Sequence, residues 1–192
     1  MEAATAATRT IAEELPWAVT MTGYTDQVCN SVTEENRGCR PEDPSGGFFF
    51  SAAEQVMHIA DTRWQMLGWL DGNDYSDRVF CNDYPGKDAE WQFRDAGLDE
   101  IKQSIADSRA KLDEWLGKPA AELQHSTPGL VQAHQQRIEA MRAEGKDTAE
   151  LEAKGPGKLA NTILFLVAHE QAHRASIQLI LRMHGAEVMR MA

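Results

Sequence analysis

The chain has 192 residues, 42% of them hydrophobic and 26% charged, with a formal net charge of −11. That length supports one domain with a substantial core and is short for two, and the composition excludes wholesale disorder. The acidic balance leaves no basic stripe of the kind that neutralises phosphates, so nucleic acid is not an expected partner.

Cys29, Cys39 and Cys81 are odd in number and lack Cys-x-x-Cys spacing, which predicts a reduced protein of the cytoplasm rather than a disulfide framework. The first residues lack the basic-then-apolar pattern of a secretory leader. The longest apolar run, Ile163 to Ala168, is six residues and cannot span a bilayer, so no membrane partner is expected.

In chain order, a first helix is expected within Thr8 to Val32, chiefly Trp17 to Val32, with Pro16 either breaking it or sitting in its first turn. Gly47 to Phe50 is the only strand-like run. It leads into Ser51 and Glu54, a capping box that starts a second helix running to Asp71, where Gly72-Asn73-Asp74 stops it. Gly72 to Gly97 reads as an irregular segment dense in aromatics: Tyr75, Phe80, Tyr84, Trp91 and Phe93. Leu98 to Leu116 forms a third helix with Ile101, Ile105, Leu112 and Leu116 or Trp115 on one side, closed by Gly117 with Pro119 beyond. Gly129 to Ala143 offers a short extra helix, and the polar stretch Glu144 to Gly157 reads as mobile. Lys158 to His184 is the long final helix, with Gly185 at its C-cap. The expected architecture is all-α, a single domain over residues 1–192: a four-helix bundle with decorated loops. Bundles of this kind build metal sites from facing helices.

The final helix carries His169 and His173. Four residues apart, two imidazoles project from adjacent turns of one face and can grip one ion. On a helical wheel Leu159, Thr162, Ile163, Leu166, Ile177, Ile180 and Leu181 share that side, so the pair points into the core. Burying two neutral imidazoles there without partners is costly, and a shared metal removes the cost. A third ligand is needed for a catalytic type of site. His58, early in the second helix, is the best candidate, although it sits off the centre of the apolar face set by Val56, Ile59, Ala60, Leu67 and Leu70. Spacing alone leaves open whether His58 ligates or is a hydrogen-bonded boundary residue.

His169-Glu170-Gln171-Ala172-His173 also satisfies the zincin pattern His-Glu-x-x-His, in which the glutamate is a general base. Only 19 residues follow His173 (192 − 173 = 19), and His184 and Glu187 are the sole reasonable ligands among them. The positions where a metzincin needs glycine and histidine hold Ser176 and Leu179. No upstream sheet supplies a cleft, so a peptidase is disfavoured.

His58 followed by His169-x-x-x-His173-Arg174, then Ile177, Leu181-Arg182 and Gly185, resembles the DinB/YfiT-like superfamily of metal-binding four-helix bundles, over roughly Trp17 to Gly185. The resemblance implies that His58, His169 and His173 bind one divalent metal, and it implies homodimers. Ala175-Ser176 departs from the usual small-Gln element after Arg174, and the long insert over residues 117–157 makes the substrate pocket hard to transfer.

Glu170 is a candidate general base or a residue that orients a ligand, against the plainer reading of a salt bridge. Arg174 is a candidate for binding an anionic substrate or, equally, for an ion pair that stabilises the bundle. His125 and His134 read as solvated, and His184 as interacting with the helix C-terminus. Trp64, Trp69, Trp91 and Trp115 are expected core anchors, and Cys81 is a candidate reactive thiol. Three histidines accept zinc or nickel first, with iron or manganese as alternatives. The expected activity is thiol-dependent transfer to a small electrophile, with a low-molecular-weight thiol as co-substrate, as the superfamily implies. The alternatives are metal-dependent hydrolysis of small esters or amides and a non-catalytic metal-binding stress-response protein.

Overall fold

A computed structural model describes residues 9–42, 49–81 and 91–186. Thr8, Gly47, Phe48, Tyr84 and Glu187 lie outside the described residues. Among those described, the chain is helical and contains no strand, only an isolated bridge between Thr10 and Pro119. In order the helices are α1 (Ile11–Glu14), α2 (Pro16–Asn30), α3 (Ala52–Asp71), α4 (Leu98–Leu116), α5 (Pro128–Ala143), α6 (Ala149–Lys154) and α7 (Leu159–Met183), with 3₁₀ turns at Ser76–Arg78 and Ala120–Gln124.

Local chemistry sets these boundaries. Pro16 both interrupts the first helical stretch and occupies the first turn of α2, where its missing N–H is no loss. At the start of α3, the Glu54 carboxylate accepts the Ser51 backbone N–H at 2.6 Å, and Ser51 Oγ accepts the Glu54 N–H at 3.3 Å. Gly72 ends α3 with φ of 79°, the left-handed conformation that glycine adopts without strain. Gly117 caps α4 in the right-handed region instead, at φ −75°.

Four helices form the bundle: α7 packs between α2 and α3, and α4 packs against both α3 and α2. The insert is more ordered than its polarity suggests. α5 starts one residue before the expected Gly129, ends at Ala143 as expected, and packs along α3. At that contact a Cβ on Gly129 would lie 2.5 Å from the Trp69 carbonyl oxygen, so the crossing requires glycine. Glu144 to Gly157, expected to be mobile, instead contains α6, and Thr148 at its N-cap is buried. Short helices of low hydrophobicity leave little periodic signal.

The apolar core has two parts. Val56, Ile59, Ile101, Ile105, Ile177 and Ile180 fill one. Leu67, Leu70, Leu112, Leu159, Ile163 and Leu166 fill the other. Between them in sequence on α3 and α7 stand Arg63 and Glu170, with relative exposures of 0% and 1%. Arg63 Nε and one terminal nitrogen donate to the two Glu170 oxygens at 2.6 and 3.1 Å. Its other terminal nitrogen is 2.7 Å from Asp26 on α2. Arg109 on α4 reaches the second Asp26 oxygen at 3.1 Å, so one ion network ties all four bundle helices together.

Candidate metal centre

The N-terminal half of α3 and the middle of α7 face one another, which brings His58 to His169 and His173. Their ligand nitrogens all lie within 4.8 Å of one another. His58 Nε2 is 3.2 Å from His169 Nε2, and the His173 ring centroid is 4.5 Å from that of His58 and 4.4 Å from that of His169. No carboxylate or thiol among the described residues joins this cluster.

Burial, with mutual repulsion of the charged forms, holds the rings neutral. Desolvation and the two neighbouring histidines push His58 down to about 3. Desolvation and His169 push His173 to about 4, and desolvation lowers His169. Neutral imidazoles are the form that ligates. The Nδ1 atoms of His58 and His169 are buried and find no hydrogen-bond partner among the described residues. Two ring nitrogens turned toward each other, on rings whose outer nitrogens find no partner among the described residues, are costly without an ion. The donor set fits a divalent cation: three imidazoles, with no carboxylate or thiol among the described residues beside them. Among the described residues His173 alone has an outer partner, its Nδ1 lying 2.6 Å from Gln55 Oε1.

Aromatic rings wall the site. Trp91 meets His58 edge-on at 4.8 Å, Phe50 lies 5.5 Å from the same ring, and Phe93 packs on both aromatics. Phe165, one turn before His169, stacks on it at 5.9 Å while remaining exposed. The tryptophans therefore divide. Trp64 and Trp115 are buried core anchors as expected, whereas Trp69 is 47% exposed and Trp91 is part-buried beside the histidines. A separate groove of about 460 Å³ between α3, the 72–81 segment and α5 includes Trp64, Trp69, Tyr75 and Cys81 but none of the three histidines.

The remaining residues singled out in the sequence fall as follows. Glu170 is buried and engaged by Arg63. Arg174 is buried, donates to the Met21 carbonyl at 3.3 Å and lies 4.6 Å over the Tyr24 ring. His184 Nδ1 meets the Ile180 carbonyl at 2.9 Å at the end of α7. His125 is exposed and His134 half-buried, both outside the cluster. Two neighbours of the site are visible only in the structure. Arg63 stands in register with Val56, Ile59, Ala60, Leu67 and Leu70, and an arginine on a core stripe is the available signal of a buried ion pair. Gln55 precedes His58 by three residues and shares its side of the helix.

The family model of the DinB superfamily matches residues 19–177. The chain belongs to the DinB superfamily. The matched span contains all three histidines of this DinB-superfamily site. Neither the curated proteins nor the solved structures give a match.

Proposed function

We propose that this DinB-superfamily protein is a divalent-metal-dependent enzyme that transfers a low-molecular-weight thiol to a small electrophile. His58, His169 and His173 hold the ion, zinc or nickel before iron or manganese. When bound, such an ion carries its full double charge and lowers the pKa of a thiol or water taken into its open positions. The observation that carries the reading is the cluster of three neutral imidazoles, joined by no carboxylate among the described residues, while Glu170, next to His169, is held by Arg63. Hydrolysis gains from a general base beside the attacking water, whereas a thiol with a lowered pKa needs none.

Glu170 and Arg174 then act by positioning. Glu170 locks α7 to α3 through Arg63, and Arg174 ties α7 to α2 one residue beyond His173. Phe50, Trp91 and Phe93 exclude water from the His58 side. The reading places the protein in the cytoplasm, as a homodimer acting on a small molecule. The support for a dimer is the exposed side of α7, where Leu164, Phe165, Leu179 and Met183 stand out to solvent. No helix among the described residues is long and apolar enough to cross a membrane.

The experiment is turnover of a model electrophile by zinc- or nickel-loaded protein with and without an added thiol. Turnover that requires the thiol supports transfer. Thiol-independent ester cleavage makes the protein a hydrolase, and no turnover in either arm favours the non-catalytic reading.

A further inference from the structure

We propose that Gln55 is a positioning residue of the metal centre, accepting the Nδ1–H of His173 and so committing the opposite nitrogen, Nε2, to the ion. The role rests on the three-histidine reading above and deepens it. A neutral imidazole carries one hydrogen and has two tautomers, only one of which leaves Nε2 with a free lone pair. A side-chain oxygen 2.6 Å from Nδ1 selects that tautomer and also fixes the ring about its bond to Cβ.

Three features make this contact more than incidental packing. Gln55 is buried, so its amide has little water to turn to. It lies on α3 and His173 on α7, so the bond crosses the helix interface that builds the site. The corresponding Nδ1 atoms of His58 and His169 have no such partner among the described residues. His173 is therefore the ligand whose tautomer is set before the ion arrives, while no hydrogen bond among the described residues sets that of His58 or His169. α3 supplies both a ligand and, one turn earlier, the group that aims another helix's ligand, since residues three apart share a face.

The direction of the bond is what matters. If the amide presented its nitrogen instead, it would donate to Nδ1 and leave the hydrogen on Nε2, blocking ligation. Glutamate at this position separates the two cases, because a carboxylate only accepts. Zinc affinity would be measured by competition with a chromophoric chelator in native protein, Gln55→Leu, Gln55→Glu and His169→Ala, with far-UV circular dichroism to check folding. Cobalt absorption spectra of the same proteins report coordination geometry. The expected result is zinc binding weakened about 10–100-fold in Gln55→Leu, the usual effect of losing an outer partner, with an altered cobalt spectrum. Gln55→Glu should bind at least as tightly as native protein. Leucine and glutamate variants that both bind within about twofold of native would show that the contact only packs. Loss in Gln55→Glu equal to that in Gln55→Leu would show that accepting from His173 is not what Gln55 supplies. Either overturns the role while the metal centre stands. Native protein that takes up no zinc, or undiminished binding in His169→Ala, overturns the metal centre itself and this role with it.

Discussion

His58 and His173 show at single-residue scale how burial makes the charge state of two ordinary side chains set a pH limit on the fold. Their folded values, about 3 and about 4, lie below the ordinary 6.5. Between those values and 6.5 the unfolded chain binds more protons than the folded one, so stability rises with pH there. Their contribution is complete above pH 6.5 and is lost as pH falls toward 4 and then 3. For metal-free protein, the urea midpoint should therefore drop between about pH 7 and about pH 5. A His58→Gln/His173→Gln variant should show a shallower drop, and an equal slope in both proteins would refute the assignment. At this scale His169 and His173 are legible in the sequence because a pair at i, i+4 on an apolar stripe is costly to bury unless it shares an ion. The wheel places His58 only at the margin of a face, because the rings that cover it, Phe50 and Trp91, come from outside α3 and leave no trace in its periodicity. Gln55 is illegible for a different reason: an amide reveals its partner only when the facing helix is in place.

At the scale of elements, capping chemistry locates α3 and the end of α7 to within a residue, since Ser51, Glu54, Gly72 and Gly185 act through their own neighbours in the chain. α6 and the 3₁₀ turns escape a periodic reading, being too short to show a period. The register of α3 against α7 is held by Arg63, and this has a measurable consequence. Replacing Arg63 with methionine leaves Glu170 buried without its counter-charge, the costly way to break a buried pair, and should destabilise the protein by about 3–5 kcal/mol. Combining Arg63→Met with Glu170→Leu should recover much of that loss, because two apolar residues of similar volume remove the stranded charge. Chemical denaturation of the three variants measures both effects. If the double variant is as unstable as the single one, the network's role in packing has been misjudged.

For the whole molecule, the bundle follows from four amphipathic segments, and the superfamily match over residues 19–177 agrees with it. Assembly is a property no single amphipathic wheel displays, because the same exposed stripe serves a partner or faces water. Leu164 and Phe165, then Leu179 and Met183, recur along α7 with relative exposures of 54–58%. If a second copy covers them, sedimentation should give a dimer that Leu179→Asp converts to monomer while metal content is unchanged. A monomeric native protein at high concentration would contradict this.

The central claim is that one ion sits between α3 and α7, and metal stoichiometry tests it most directly. Protein purified without a metal-binding tag should carry about one divalent ion per chain, and His134→Ala should match it. His58→Ala, His169→Ala and His173→Ala should each lose nearly all of the metal while keeping their helical circular dichroism, because the stripe from Leu159 to Leu181 is untouched. Full metal in His58→Ala or His173→Ala, or loss of metal in His134→Ala, would contradict the account.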